Sequence, residues 1–244
     1  MKKLLLFCFL ILNLSIQNSY AETLFQHNFE TGDEGVFDID ETNTTFSYDT
    51  TIKHSGQYSM KLTATDANAA GYARLLPTSA NDKVYIRFYM YVPQALIDTI
   101  NISTEEVWFF FCTAQGWSET LLLARMYNDT GTVGVDIIYN DWGSAMYESM
   151  FSADTWHCIE LELIRHATTG AVYYWVDGVL INSDVDVDTG DAGFTDFYFT
   201  FNNNGAHDTQ GSFYIDDIVI DTSNYIGTGY RIQEGVAVGS LPYF

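Results

Sequence analysis

Strand-like segments follow one another almost without interruption along this chain, and that succession constrains the fold more than any other feature. "YSMKLTA", "GYARLLP", "KVYIRFYMYV", "VWFFFCTA", "TLLLARMYN", "TVGVDIIYN", "WHCIELELIR", "AVYYWVDGVLI", "FTDFYFTFN" and "SFYIDDIVID" are dense in β-branched and aromatic residues. Gly, Asn, Asp, Thr and Ser separate them, the residue types that turns favour. Only "PQALIDTI" reads as a short helix. "KVYIRFYMYV" alternates with period two. Val84, Ile86, Phe88, Met90 and Val92 form an apolar face, and Tyr85, Arg87, Tyr89 and Tyr91 form the other. The pattern predicts an all-β fold, a two-sheet antiparallel β-sandwich of jelly-roll type. Aromatic residues make up 16% of the chain, more than a core of ordinary size requires, so some are expected on a surface. The Arg-and-Tyr face of "KVYIRFYMYV" has the composition of a recognition surface. A solvated outer face covered by Tyr is the plainer reading.

The first residues read as a secretory signal peptide, residues 1–21. Lys2 and Lys3 precede an apolar run from Leu4 to Leu14, and Ser19-Tyr20-Ala21 places small residues where a signal peptidase cuts. The run is shorter than the ~20 apolar residues of a membrane span. The expectation is a secreted protein, extracellular or periplasmic, with one jelly-roll domain at 22–230 and a short tail at 231–244. The formal net charge is −22; without Lys2 and Lys3, eight Lys/Arg face 32 acids, a formal −24. Such a charge repels phosphate backbones and anionic membrane surfaces, so neither nucleic acid nor membrane is expected as a partner. A monomer is expected. Cys112 and Cys158 remain after cleavage, and a disulfide between them requires their strands to be neighbours.

The stretch "GSFYIDDIVIDTSNYIG" sets two carboxylates, Asp216 and Asp217, side by side in an apolar strand. Strict alternation puts Phe213, Ile215, Asp217 and Val219 on one face. Tyr214, Asp216, Ile218 and Ile220 fall on the other. One acid must then face the packed side, where an unpartnered carboxylate is costly.

Six segments, in order, carry a resemblance: "FETG" (29–32), "TTIKHSGQYSMKL" (50–62), "VYIRFYMYV" (84–92), "HCIELEL" (157–163), "WVDGVLI" (175–181) and "YIDDIVIDTSNYIG" (214–227). The chain resembles the secreted, cellulose-induced jelly-roll proteins of cellulolytic fungi and their bacterial relatives. That family has the concanavalin A-like lectin/glucanase fold and is similar to polysaccharide lyases of the glucuronan- and alginate-lyase type. The resemblance implies that the first and last strands lie together and hold a structural calcium (Ca2+). Glu30 and Asp216 would supply carboxylates. Ser55 and Tyr58 would supply turn oxygens, Tyr58 through its backbone carbonyl. Calcium takes six to eight oxygens at ~2.3–2.6 Å, which suits two acids and turn carbonyls. Hydrogen bonding alone is the other way to satisfy Asp216.

The resemblance also implies chemistry on a polysaccharide. A lyase must neutralise a uronate carboxylate and remove the neighbouring proton with His or Tyr. Arg87 and Arg125, with Tyr89 as the proton-transfer group, are the catalytic candidates, expected to meet Tyr91 and Tyr127 on one sheet. The Glu-x-Asp-x-x-Glu pattern of jelly-roll glucanases is not present. "ELELIRH" places Glu160 and Glu162 on one face without an Asp between them, an exposed strand face or at most sugar hydrogen-bonders. Trp117 in "AQGWSE" and Trp142 in "YNDWGSAMY" sit among polar loop residues, as stacking platforms or as plugs over a sandwich end. Trp156 and Trp175 read as packed strand residues. The candidate roles are therefore a polysaccharide lyase, a non-catalytic carbohydrate-binding module, or an adhesive surface protein.

Overall fold

The alternating segments form strands, and the strands gather into two antiparallel sheets. The computed structural model describes residues 23–32, 36–76, 82–100, 105–114, 119–139, 144–203, 209–223 and 225–229. In chain order the strands are β1 (Thr23–His27), β2 (Asp38–Asp40), β3 (Thr44–Asp49), β4 (Ser59–Ala64), β5 (Ala70–Leu75), β6 (Lys83–Tyr91), β7 (Val107–Thr113) and β8 (Thr120–Asp129). They continue as β9 (Thr132–Tyr139), β10 (Ser144–Phe151), β11 (Trp156–Ile164), β12 (Gly170–Val176), β13 (Val179–Val187), β14 (Asp196–Asn202) and β15 (Gly211–Asp221). The one helix among them, α1 (Gln94–Ile97), lies inside "PQALIDTI", as expected. The segments proposed as a signal peptide and as a tail after residue 230 lie outside the described residues.

The first sheet runs β13-β12-β11-β6-β15-β4-β3, with β1 also on β15; the second runs β10-β9-β8-β7-β14-β5-β2. "AVYYWVDGVLI", read from sequence as one strand, is a hairpin. Val176 pairs with Val179, and Asp177 (φ 51) and Gly178 (φ 78) take the left-handed conformation that a two-residue turn demands. The inner faces of the two sheets meet in one apolar core. Phe88 of β6 sits at its centre, with ring centroids 5.3 Å from Phe199, 5.9 Å from Phe110 and 6.3 Å from Phe109 across the sandwich. The alternation of "KVYIRFYMYV" holds as read: Val84, Ile86, Phe88 and Met90 are all core residues.

Cys112 and Cys158 are both free and buried. They belong to β7 and β11, in different sheets, so the neighbouring strands a disulfide requires do not occur.

Strand β15 holds the first sheet together. On one side it pairs with β6. On the other, Gly211–Ile215 pair with β4 and Ile218–Asp221 pair with β1. The first and last strands therefore do lie together. The hand-over from β4 to β1 falls at Asp216-Asp217, where the register to β6 shifts between Asp216 and Val219 and Asp217 takes φ 48. This is a β-bulge, which re-aims the side chains beyond it. Strict alternation is thereby corrected: Ile218 and Ile220 join Phe213 and Ile215 in the core.

Candidate functional site

Three places concentrate polar chemistry: the seam at the bulge, the outer face of the first sheet, and the outer face of the second.

At the seam, the turn 54–58 closes over acids from both ends of the chain. Asp216 Oδ2 accepts the backbone N–H groups of His54 (3.0 Å) and Ser55 (3.1 Å), and its Oδ1 accepts that of Asp217 (2.8 Å). Glu30 accepts the N–H of Gln57 on both oxygens at 2.8 Å, and that of Tyr58 at 3.4 Å. Asp217 takes the His54 ring at 2.7 Å and the Ser55 hydroxyl at 3.2 Å. Gly56 sits at φ 52, and any Cβ there would fall on the Glu30 carboxylate. Burial, and then the charge of Asp217, pushes the Asp216 pKa from 3.8 up to about 7 against three backbone hydrogen bonds. Glu30, Asp216, Ser55 and Tyr58 thus meet as a group. Here Ser55 and Tyr58 face the acids with amide donors. Among the described residues, no three or more His, Cys, Asp or Glu side chains gather closely enough to hold a metal ion.

The outer face of the first sheet carries Arg87, Tyr89, Tyr91 and Glu160, and residues 225–229 lie across it. Arg87 Nη1 donates to the Gly227 carbonyl (3.1 Å) and Nη2 to the Asp217 carbonyl (3.5 Å). Glu160 accepts the N–H groups of Ile226 (2.8 Å) and Gly227 (3.1 Å). Tyr89 donates to the Thr228 carbonyl at 3.3 Å, and Tyr225 packs on Trp175 with centroids 5.0 Å apart. Arg87 and Glu160 face each other in register and are each 1% exposed. The expectation that this face receives a ligand through Arg87 is therefore corrected: the chain itself occupies the guanidinium. Burial first, then Cys158, pushes Tyr89 up to about 12, and a phenol held protonated there is a poor base at neutral pH. The expected exposed pair Glu160 and Glu162 is also corrected. Both are buried, and Glu162 pairs with Lys83 at 2.8 Å. Tyr91 donates to Asp154 at 3.3 Å and packs against Trp156.

At the end of this sheet, Ser152, His157 and Asp177 line up as a nucleophile, base and orienter would. His157 Nδ1 lies 2.7 Å from Asp177 Oδ2, and Nε2 lies 3.4 Å from Ser152 Oγ. The Ser152 carbonyl, at 3.2 Å, is nearer to Nε2 than the hydroxyl is. The Nε2 atom thus faces the Ser152 backbone more closely than its hydroxyl, and the 3.4 Å contact to Oγ is too long for an activated serine. His157 clamps the β10–β11 connection to the β12–β13 turn.

The outer face of the second sheet is different. Arg125 and Tyr127 are here, so Arg125 and Arg87 lie in different sheets and cannot share one site. Two register rows cross the strands. One runs Asp38, Arg74, Tyr198, Phe111, Leu123 and Ile138 from β2 to β9. The other sets Asp40, Tyr72 and Thr200 side by side, and Trp108, Arg125 and Asp136 side by side. Phe111, Leu123, Ile138 and Tyr198 form an apolar cluster separate from the core, with half-buried Tyr72 and Trp108 packed on it. Phe111 stacks on Tyr198 at 4.3 Å, and Tyr72 meets Tyr198 edge-on at 5.3 Å. The Tyr127 ring lies over Gly134, where a side chain would strike it. Arg125 bonds Asp136 at 2.9 Å and also pairs with Glu106. Arg74 bonds Asp196 at 2.6 Å. Burial raises the Asp136 pKa while Arg125 opposes the rise. Burial, then Asp196, pushes Tyr198 up to about 12.

Tyr72, Arg74, Trp108, Phe111, Asp136 and Tyr198 do not figure among the sequence candidates. For Tyr198 the signal was available in "FTDFYFTFN", where Asp196, Tyr198 and Thr200 alternate with core phenylalanines. Trp117 and Trp142 lie outside the described residues.

Solved structures share this fold. The endo-β-1,4-glucuronan lyase of the fungus Trichoderma reesei superposes with a TM-score of 0.63 at 14% identity, over 82% of this chain and 96% of that one. The cellulose-induced protein Cip1 gives 0.63 at 19% identity, over 84% and 100%. A carbohydrate esterase of the Shiga toxin-encoding bacteriophage phi24B gives 0.58 at 13%, over 84% and 100%. No protein-family model matches the sequence, and no curated protein is found as a relative. At these identities the likeness establishes the fold alone, a two-sheet antiparallel jelly roll. No helix among the described residues is long and apolar enough to cross a membrane.

Proposed function

We propose that this chain is a secreted carbohydrate-binding jelly roll whose polysaccharide lies across the outer face of the second sheet. The observation that carries the reading is the pair of side-chain rows on that face. Tyr72 and Trp108 are rings that a sugar can stack on, beside hydroxyl, carboxylate and guanidinium groups that can orient it. The similar structures add support at the level of fold, since one is a glucuronan lyase and another a carbohydrate esterase. Lyase chemistry is the weaker form of the proposal. It needs a cation free to meet a uronate, and Arg87 and Arg125 are both engaged within the chain. The test is affinity electrophoresis in gels holding soluble polysaccharides. Trp108→Ala and Tyr72→Ala should each weaken retardation by about 2 kcal/mol, roughly thirty-fold, as aromatic anchors do. Unchanged retardation in both variants would remove the site.

A structural calcium at the seam belongs to the same proposal. Two hard carboxylates from opposite ends of the chain reach one turn, and burial leaves Asp216 costly to ionise. With the turn's carbonyls brought to bear, Glu30 and Asp216 would hold the ion with Ser55 and Tyr58. A saturating ion at 100 times its dissociation constant adds roughly 2.7 kcal/mol. Chelator should then lower the melting temperature of wild type but not of Asp216→Ala. Identical melting of wild type with chelator and with added calcium would rule the ion out.

A further inference from the structure

The charges on the second sheet's outer face also bear on which polysaccharide fits it. Resting on the reading above, we infer that the ligand is an uncharged glycan and that polyuronates are excluded. Among the described residues, Arg74 and Arg125 are the cations of this face, and each is met by two acids. Asp136 takes the Nε–Nη2 edge of Arg125 at 3.0 and 2.9 Å, and Glu106 takes Nη1. Asp196 takes the same edge of Arg74 at 3.0 and 2.6 Å, and Asp38 lies 3.7 Å from Nη1. A guanidinium recognises a carboxylate through two parallel N–H bonds. In both arginines that paired edge is filled from within the chain. Four acids against two cations leave the face negative. A uronate arriving there meets repulsion within a Debye length and finds both guanidinium groups already faced by acids.

The same arrangement suits hydroxyls. Trp108 Nε1 donates to Glu106 Oε1 at 3.2 Å, which fixes the ring beside the acid. The Asp38 carboxylate is 64% exposed and able to accept from a sugar. A neutral chain can stack on Tyr72 and Trp108 and donate its hydroxyls to these acids. The chain's formal charge of −22 points the same way, because it disfavours any polyanion at long range.

The experiment compares retardation of the full chain by a neutral β-glucan, a neutral xylan, polyglucuronate and alginate, at low and high salt. Wild type should be retarded by at least one neutral glycan, with Trp108→Ala weakening it, and at least tenfold less by either polyuronate. Removing acids should create the missing affinity. Glu106→Gln opens Arg125, and a tenfold or greater gain on polyglucuronate at low salt is expected. Asp38→Asn alters only an exposed carboxylate, so it folds even if the first variant does not, and should give a smaller gain of the same sign. Wild-type binding to a polyuronate as tight as to any neutral glycan, lost in Trp108→Ala, overturns the inference and keeps the site. No gain in either acid variant, if folded, also overturns it. Retardation by no glycan, or retardation indifferent to Trp108→Ala and Tyr72→Ala, overturns the site reading itself.

Discussion

Arg87 offers the sharpest separation between a catalytic and a structural reading, because the two predict different failures. A substrate-binding arginine can be truncated with little harm to the fold. Here the guanidinium is 1% exposed, faces the equally buried Glu160, and holds the carbonyls of Gly227 and Asp217. Glu160 shows what its loss would mean. Burial raises the Glu160 pKa, while the amides of Gly227 and Ile226 and the charge of Arg87 pull it back. Arg87→Ala removes that charge and leaves a buried acid with the amides of residues 226 and 227 and the Tyr225 hydroxyl, but no cation. Breaking a buried charge pair by deleting one partner typically costs about 3–5 kcal/mol, a large share of the ~5–15 kcal/mol that holds a domain together. Glu160→Gln should cost less, since its side-chain oxygen still accepts from residues 226 and 227. The assay is urea unfolding followed by tryptophan fluorescence, with midpoint and slope compared. The double variant Arg87→Ala/Glu160→Gln should be more stable than the sum of the two losses implies, because the two groups interact. An Arg87→Ala protein within about 1 kcal/mol of wild type would refute the reasoning and return the residue to the list of ligand contacts.

The remaining predictions concern the seam and the thiols. In chelated protein, Asp216 has a folded pKa near 7 against an ordinary 3.8, so the folded state keeps a proton that the unfolded chain releases between those values. Its contribution is full below about pH 4 and is lost as pH rises through 7, by up to ~4 kcal/mol, and Asp216→Asn should abolish that fall. Calcium binding would hold the acid ionised and should flatten the slope; a wild-type slope equal to that of the variant in chelator counts against the assignment. Gly56→Ala, at φ 52 against the Glu30 carboxylate, should cost at least ~1–3 kcal/mol by thermal or urea unfolding, and a neutral effect would mean that the turn is loosely held. Cys158, pushed to about 12 by burial, and Cys112, raised further by the same cause, should resist thiol reagents until the chain unfolds. Rapid labelling in native buffer would contradict that.

The fold was legible because a strand needs only local information to declare itself. β-branched and aromatic runs with period two, separated by turn residues, mark strands whatever they later pair with. The hairpin at Asp177-Gly178 was missed: its two-residue signature is in the sequence, but the flanking apolar residues made the segment read as one strand. What alternation cannot report is a residue inserted into the pairing. The bulge at Asp216-Asp217 moves Ile218 and Ile220 to the face of Phe213 and Ile215, and no pattern within "SFYIDDIVID" says so. The reason lies in pairing from far away, where β15 passes from β4 to β1.

The site was harder to read for a related reason. Alternation sorts residues into two faces of a strand but does not say which sheet the strand joins or what covers the outward face. Arg87 and Arg125 look equivalent in sequence, each on the outward side of an aromatic-rich strand. They diverge because β6 lies at the centre of the sheet that residues 225–229 cross, whereas β8 lies in the other. The seam acids, by contrast, were named through the family resemblance, which sets the first and last strands together; the residues alone said only that one of Asp216 and Asp217 must have a partner. The partner turned out to be a row of amides. The electrostatic logic is the same on the second sheet, where every arginine is answered by two acids. The two arginines on this face are compensated in place, and what remains there for a ligand is aromatic surface and hydrogen-bond acceptors. That is the physical ground for expecting a neutral sugar chain.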